Sequence, residues 1–252
     1  MKTIVKQLAL VAALGLSSLA ALAQDYSVPA DAPVHIKRAI EATGRPVEQK
    51  EIDSARKPAE TLMLAGLKES DHIAEITSFG QYYSAILSAA VGPNGKVDLY
   101  DMPYMETIND ATKKGKAFSD AHANTSYTVV HYNDIKLAPD LDGVYNILYY
   151  HDLQPLMVDT AAMNAKIFAA LKPGGVYFVI DHQAEAGSGW RDAGTIHRMA
   201  KKTIIDEVTA AGFVLATDSD LLANAEDDRS KMVFAPGTRR HTDQAVLLFR
   251  KP

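Results

Sequence analysis

Two pairs of histidine and aspartate are the side chains in this sequence best suited to acid–base chemistry. His151-Asp152 follows one apolar segment, and Asp181-His182 follows the next. An imidazole that is oriented by a carboxylate can act as a general base near neutral pH. Because neighbouring residues in a chain rarely hydrogen-bond through their side chains, we expect His151 to pair with Asp181. These four residues are the predicted catalytic groups.

The same cluster leaves a metal site open as an alternative. Two histidines and a carboxylate can bind a transition metal, and His197, which follows a glycine-containing loop, could join His151 and His182 in one cleft. No two of these histidines have a tight ligand spacing, so no metal ligand is assigned. The chain has no cysteine, which excludes disulfides and thiolate-bound metals. It has neither a Gly-x-Ser-x-Gly elbow nor a Gly-x-x-x-x-Gly-Lys loop, which argues against a serine hydrolase of that type and against a P-loop.

Further acids lie in or just after other predicted strands. Glu75 lies in the first strand, Asp101 ends the second, and Asp134 follows the third. A carboxylate such as Asp101 can accept hydrogen bonds from both hydroxyls of a ribose, and Asp134 could accept the exocyclic amine of a purine. Tyr82 and Tyr149 could offer aromatic faces to a cationic ligand, although aromatic residues in such elements are more often part of the core.

An alternation of strands and helices would position these groups. Tyr83, Ile86, Leu87 and Ala90 have the i, i+3, i+4, i+7 spacing of a helix with one buried face. The alternation predicts βαβ units and a mostly parallel sheet, in which ligands bind at the carboxyl ends of the strands. We predict strands at residues 73–77, 97–100, 127–131, 144–150, 176–180, 214–217 and 244–249, and helices at 33–43, 58–66, 106–121 and 160–171. Residues 183–195, with three glycines, predict a mobile loop at the same edge.

The turn after the first predicted strand contains a single glycine, Gly80, where nucleotide-binding folds usually have two or three. A glycine at this place lets a ligand approach the backbone closely. Phe79 and Gln81 flank Gly80, and Thr77 stands where another glycine is common. The sequence therefore predicts the frame of a cofactor site with an altered loop.

The N-terminal segment has the pattern of a secretory signal peptide. Lys2 and Lys6 precede an apolar run that ends in Ala21-Leu22-Ala23, so we predict a signal peptide at residues 1–23; an uncleaved anchor is the alternative. The net charge is −5 and no cluster of basic residues resembles a phosphate track, so nucleic acid is not an expected partner. We expect a periplasmic protein without stable membrane insertion after cleavage.

Motifs along nearly the whole chain carry a family resemblance. The sequence resembles the class I S-adenosylmethionine-dependent methyltransferases and is more closely similar to a bacterial family of predicted methyltransferases, many with signal peptides. A Leu-Lys-Pro-Gly-Gly turn at residues 171–175 is shared with many class I members. The other matching segments are residues 56–62, 75–83, 91–97, 150–152, 181–182, 197–198, 211–213, 227–229, 242–243 and 249–252.

The resemblance implies a fold and a set of cofactor contacts. The fold would be α/β, Rossmann-like and doubly wound, with a seven-stranded, mostly parallel sheet whose last strand is antiparallel. Residues 67–252 would form this domain, and residues 24–66 a leader and helices that pack on it. The predicted cofactor-binding residues are Glu75, Thr77, Gly80, Tyr82, Asp101 and Asp134, with Asp101 on the ribose and Asp134 near the adenine of S-adenosylmethionine.

Three functional hypotheses follow. The first is methyl transfer from S-adenosylmethionine to a small molecule or an envelope component, with His151 or His182 taking the substrate proton. The second is a catalytically inactive periplasmic protein that binds another ligand in a methyltransferase frame, a hypothesis motivated by export and by the single glycine. The third is a metal-dependent enzyme that uses the same histidines and nearby carboxylates.

Overall fold

The computed structural model describes residues 26–252, so the predicted signal peptide at residues 1–23 lies outside the described part. Its centre is a seven-stranded sheet with the order β3-β2-β1-β4-β5-β7-β6. The strands are β1 His72–Ile76, β2 Lys96–Asp101, β3 Thr125–Val129, β4 Leu141–Ile147, β5 Leu171–His182, β6 Val214–Ser219 and β7 Gln244–Arg250.

Six strands are parallel and one is antiparallel. β1 pairs in parallel with β2 and with β4, and the parallel pairing continues to β3 on one side and β5 on the other. β7 lies antiparallel between β5 and β6. The predicted fold class, including the antiparallel last strand, is confirmed. The buried run from Val176 to Ile180 in β5 is covered on both faces, as expected for a central parallel strand.

Helices cover both faces of the sheet. The helices are α1 Val34–Ile40, α2 Val47–Lys50, α3 Asp53–Arg56, α4 Pro58–Ala65, α5 Tyr82–Val91, α6 Ala111–Ala121, α7 Thr160–Ala170, α8 Ala193–Ile196 and α9 Lys201–Ala210. α1, α4 and α5 contribute to the apolar core on one face, and α7 and α9 contribute to the core on the other. The N-terminal helices therefore belong to the same packed body as the sheet.

Some element boundaries differ from the sequence-based prediction. The helix expected from Glu106 begins at Ala111, after a 3₁₀ turn over Pro103–Thr107. Asn109 and Asp110 have φ values of 48° and 56°, and these left-handed residues interrupt the helix. The four-residue helices α2, α3 and α8 are too short to produce a periodic pattern. Among residues 26–252, no helix combines the length and the apolarity needed to cross a membrane.

Candidate functional site

A cavity of about 520 Å³ opens at the carboxyl ends of β1, β4 and β5, and this volume is typical of small-molecule sites. Glu75 and Thr77 line it from β1 and the turn that follows. His151 and Asp152 line it from the 3₁₀ turn after β4, and His182 lines it from the end of β5. The structure therefore brings most of the predicted acid–base groups and the predicted first-strand residues to one cavity.

The N-terminal helices and the connection between β6 and β7 form the remaining walls. Arg56 lines the cavity from α3, and Phe234, Arg239 and Arg240 line it from residues 220–243. The polar connection has no periodic pattern that would indicate where it packs. Phe234, Arg239 and Arg240 are therefore missing from the sequence-based prediction of the site. The sequence signals for a charged wall were the adjacent arginines 239 and 240 and Arg56, which begins the matching segment 56–62.

His151 is held by Asp181, and the predicted cross-pair is confirmed. His151 Nδ1 lies 2.6 Å from Asp181 Oδ1, and the backbone N–H of His151 donates to Asp181 Oδ2 at 2.7 Å. The backbone N–H of His182 also donates to Asp181 Oδ1 at 2.7 Å. Burial opposes protonation of the His151 imidazole, but the Asp181 and Asp152 carboxylates outweigh it and raise the pKa of His151 above its usual value. Asp181 thus fixes the ring plane of His151.

Asp152 and His197 converge on the opposite edge of the His151 ring. His197 Nδ1 lies 3.3 Å from His151 Nε2 and 3.0 Å from Asp152 Oδ1. His151 Nε2 lies 3.5 Å from Asp152 Oδ1. The His197 ring also packs against the Phe234 ring, with 5.2 Å between centroids. The structure therefore places His197 in the cleft together with His151 and Asp152.

His182 lines the same cavity without joining this cluster. Its Nδ1 lies 2.7 Å from the Thr242 hydroxyl, and its ring centroid is 5.8 Å from that of His151. Burial, followed by the positive charge of His151 and Arg198, holds the pKa of His182 well below its usual value. The His182 imidazole is therefore neutral near pH 7.

The turn after β1 has a left-handed backbone at three positions although it contains one glycine. Thr77, Gly80 and Gln81 have φ values of 67°, 74° and 51°. Thr77 is held there by its N–H, which donates to the Tyr100 carbonyl at 2.8 Å, and by its hydroxyl, 2.7 Å from the Tyr132 hydroxyl. A β-branched residue with positive φ is strained. The loop therefore keeps a glycine-type backbone path through strained residues.

Strained backbone is found on other walls of the cavity as well. Leu148, His197 and Arg240 line it with φ values of 59°, 56° and 70°. Residues in sparsely populated backbone conformations cost about 1–3 kcal/mol each and cluster at functional sites. With Thr77, four left-handed residues line the cavity, while others such as Asn109 and Asp140 lie elsewhere in the fold.

Glu75 is a buried carboxyl group on the cavity wall. Ser84 donates its hydroxyl to Glu75 Oε2 at 2.5 Å. Burial is the main cause that raises the pKa of Glu75 to about 8, and the charge of Arg56 partly offsets it. The Arg56 guanidinium lies over the Tyr82 ring at 4.4 Å from its centroid. An acid, a cation and an aromatic ring therefore meet on one wall.

Three of the six predicted cofactor residues, Gly80, Asp101 and Asp134, do not line the cavity. Asp101 is fully buried, and its carboxylate accepts hydrogen bonds from the Ser78 N–H at 2.9 Å, the Ser78 hydroxyl at 3.1 Å and the Tyr127 hydroxyl at 2.8 Å. Asp134 is exposed in the 3₁₀ turn after β3. In this conformation, Asp101 ties the β1 turn to β3, and Asp134 faces solvent.

Gly80 and Tyr82 lie at the start of α5. Gly80 is conformationally required because its φ is 74°, while an added Cβ would meet no heavy atom within 4 Å. The Tyr82 hydroxyl donates to Asp53 Oδ1 at 2.5 Å, and its ring lines the cavity beneath Arg56. Gly80 therefore shapes the loop, and Tyr82 presents an aromatic surface to the cavity.

Solved structures share this architecture. A SAM-dependent methyltransferase from Aquifex aeolicus superposes with a TM-score of 0.57 at 17% sequence identity, over 82% of this chain and 99% of that chain. An S-adenosylmethionine-dependent methyltransferase from Mesorhizobium loti gives 0.58 at 12% identity, over 79% and 99%. Aeropyrum pernix fibrillarin, solved with natively bound S-adenosyl-L-methionine, gives 0.50 at 14% identity, over 75% and 73%. The chain has the fold of class I methyltransferases.

Two comparisons at the level of sequence gave no match. No protein-family model matches the chain, and no curated protein matches it. The structural similarity at these low identities establishes the fold, and the function has to be argued from the cavity.

Proposed function

We propose that this chain is an S-adenosylmethionine-dependent methyltransferase that acts on a small molecule or an envelope component. The observation that carries the proposal is the turn after β1. It begins beside the cavity acid Glu75 and takes a left-handed backbone at Thr77, Gly80 and Gln81, the path that glycine-rich cofactor loops adopt. In open α/β sheets ligands bind at this edge.

The cavity wall fits the amino-acid end of the cofactor. That end has a carboxylate, an ammonium and a sulfonium. Arg56 would bind the carboxylate, because within residues 26–252 its guanidinium forms no salt bridge and lies over the Tyr82 and Tyr83 rings. Glu75, which is largely protonated near pH 7, would release its proton and bind the ammonium as a carboxylate, and Tyr82 lines the same wall with its ring beneath the Arg56 guanidinium. The ribose contact of Asp101 stays a prediction; in this structure the buried Asp101 carboxylate accepts hydrogen bonds from Ser78 and Tyr127.

The other end of the cavity fits a methyl acceptor. The bound cofactor supplies an electrophilic methyl group for in-line displacement, so the contribution of the protein is mainly positioning. Asp181 orients His151, and His151 with Asp152 would hold the nucleophilic oxygen or nitrogen of the acceptor. The proton that the acceptor releases would pass to His151 or His182, the two imidazoles that line this end of the cavity; His182 is the weaker base because its pKa is lowered.

We also propose a periplasmic location, supported by the signal-peptide pattern of residues 1–23. A small-molecule acceptor suits the size of the cavity. The mildly acidic chain, without a basic track, supports the proposal that nucleic acid is not a partner. A supply of cofactor outside the cytoplasm is a requirement of this proposal.

Titration calorimetry with S-adenosylmethionine and S-adenosylhomocysteine tests the proposal. We expect one equivalent to bind, and we expect Arg56→Met and Glu75→Gln each to weaken binding roughly tenfold or more, since a charged hydrogen bond contributes about 1.5–3 kcal/mol. Arg38→Met, at an exposed arginine of α1 that pairs with Glu69, is the matched control and should bind like the wild type. Absence of binding of both ligands at saturating concentration would overturn the proposal.

A second candidate function is supported by the burial of Asp101, the residue predicted to bind the ribose. The buried Asp101 carboxylate accepts hydrogen bonds from Ser78 and Tyr127, and Phe79, which is 49% exposed, lines the cavity. A protein that uses the frame to bind a different periplasmic ligand would have this arrangement. If the wild type binds no cofactor and Phe79→Gly or Tyr127→Phe creates binding, this second function is correct.

A further inference from the structure

Three side-chain atoms lie close together at one end of the cavity. The pairing of His151 with Asp181 does not account for this close approach. The three atoms are His151 Nε2, Asp152 Oδ1 and His197 Nδ1. The three distances between them are 3.0, 3.3 and 3.5 Å. Within residues 26–252, this is the one group of three such residues close enough to share an ion.

Hydrogen bonding fixes the position of the lone pair on His151. Asp181 accepts from the backbone N–H of both His151 and His182, so its oxygens act as acceptors and His151 Nδ1 must be the donor toward it. A neutral His151 therefore has its lone pair on Nε2. That lone pair faces the Asp152 carboxylate and the Nδ1 of His197. Electron-rich atoms at these distances need a proton or a cation between them.

The distances match three ligands around one metal ion. Metal–nitrogen and metal–oxygen bonds of about 2.0–2.2 Å place neighbouring ligands about 3.0–3.5 Å apart in octahedral or tetrahedral geometry. The observed separations of 3.0, 3.3 and 3.5 Å fall in this range without any rearrangement. The carboxylate of Asp181 on the far nitrogen of His151 is the support that metal-binding histidines almost always have.

We propose that His151, Asp152 and His197 bind a divalent transition-metal ion, with Asp181 as the group that orients His151. Two imidazoles and one carboxylate favour zinc, iron(II) or cobalt(II) over magnesium or calcium, which prefer oxygen ligands. All three residues line the cavity, so the remaining coordination positions face it. A ligand oxygen or nitrogen could bind there directly, as in sites with three protein ligands and an open position.

The metal site would assist the proposed methyl transfer, but the proposal of a metal site does not depend on that activity. A metal ion between His151 and the acceptor would hold the nucleophilic atom and lower its pKa. A binding protein without methyltransferase activity could use the same ion to hold its ligand. Metal binding and cofactor binding are therefore measured separately, and either can fail without the other.

The experiment is a titration of purified, metal-free protein with Zn²⁺ by calorimetry and with Co²⁺ by visible absorption. We expect one equivalent of each, with cobalt bands that report nitrogen and oxygen ligands. Asp152→Asn and His197→Asn should abolish stoichiometric binding. Asparagine is chosen at position 197 because it tolerates the left-handed backbone there, where φ is 56°. Asp181→Asn should weaken binding about 10–100-fold while leaving one equivalent.

A matched control separates this site from ordinary His–Asp contacts. His72 Nε2 lies 2.7 Å from Asp98 Oδ2 at the opposite end of the sheet, so His72→Asn should bind metal like the wild type. Zn²⁺ should also raise the Tm of the wild type and of His72→Asn but not that of His197→Asn.

Two results would overturn the proposal. One is no saturable binding of Zn²⁺ or Co²⁺ by the wild type, which would mean that a shared proton holds the cluster together. The other is equal metal affinity in the wild type and in a folded His197→Asn, which would place the ion elsewhere. Circular dichroism spectra that match the wild type establish that each variant is folded.

Discussion

At the scale of single residues, Glu75 is a carboxyl group whose protonation state at neutral pH is changed by burial. Burial raises its pKa to about 8, so Glu75 is largely protonated at neutral pH in the folded protein and ionised in the unfolded chain. The folded state therefore binds an extra proton between about pH 4.5 and about pH 8. Stability from this group is complete below about pH 4.5 and is lost as the pH rises toward 8.

Glu75→Gln should remove this dependence. We expect the wild type to lose roughly 1.4 kcal/mol of unfolding free energy per pH unit, relative to the variant, between about pH 5 and about pH 8. Urea unfolding of both proteins across this range measures the difference. Glu106→Gln, at an exposed glutamate, should give a curve parallel to the wild type. Parallel curves for Glu75→Gln would mean that Glu75 is ionised in the folded protein.

Thr77 permits a direct measurement of backbone strain. Its φ of 67° is unfavourable for any residue with a Cβ. Thr77→Gly and Thr77→Ala both remove the hydroxyl that contacts Tyr132, but only glycine relieves the strain. We expect Thr77→Gly to be more stable than Thr77→Ala by about 1 kcal/mol, after the entropy of glycine is allowed for. Equal stability, or a more stable alanine variant in denaturant unfolding, would show that this backbone is unstrained.

At the scale of elements, the connection between β6 and β7 is fixed by one buried arginine. Arg198 is fully buried and makes a two-point contact with Asp227, with N–O distances of 2.8 and 3.0 Å. It also donates to the carbonyls of Gln183 at 3.0 Å and Lys231 at 2.8 Å. The backbone N–H of Asp243 donates to the same Asp227 at 2.6 Å. This network holds residues 220–243 over the cavity, next to His197.

Arg198→Met should release this connection. Removal of one partner of a buried ion pair costs about 3–5 kcal/mol, and we expect residues 220–243 to become sensitive to proteases before the sheet does. Limited proteolysis followed by mass spectrometry identifies the cleaved segment. Arg191→Met, at an exposed arginine that pairs with Glu185 and Asp192, should leave the cleavage pattern unchanged. A uniform increase in cleavage across the sheet in Arg198→Met would contradict a local role.

The elements also show which parts of the structure can be predicted from the sequence. Periodicity and apolar runs indicated all seven strands. Each strand is buried in the sheet, and this burial is recorded in its own local sequence as an apolar pattern. The pairing of His151 with Asp181 was predictable because neighbouring parallel strands end at one edge. The contacts of Arg198 with Asp227 and Lys231 were not, because they depend on where the non-periodic segment 220–243 packs. A side chain next to a cavity can face it or, like Asp101, be held by its neighbours.

At the scale of the whole molecule, the N-terminal helices are joined to the sheet domain through a buried polar cluster. Arg45 and Asp53 form an ion pair with N–O distances of 2.7 and 2.9 Å, and both side chains are nearly inaccessible to solvent. The Tyr82 hydroxyl donates to the same Asp53 at 2.5 Å. Ile36 and Leu62 lie in the apolar cluster that also contains Ile86 of α5. The cavity wall that carries Arg56 therefore depends on this junction.

Asp53→Asn tests whether the N-terminal helices and the sheet domain unfold as one unit. The variant keeps the size of the side chain but leaves the buried Arg45 charge uncompensated, which should cost about 3–5 kcal/mol. Because α3 carries both Asp53 and the cavity residue Arg56, affinity for the cavity ligand should fall as well. We expect urea unfolding to stay a single transition at a lower midpoint. Glu69→Gln, which breaks the exposed pair with Arg38, should change stability by less than about 1 kcal/mol. A separate early transition in Asp53→Asn would mean that residues 26–66 can unfold while the sheet stays folded.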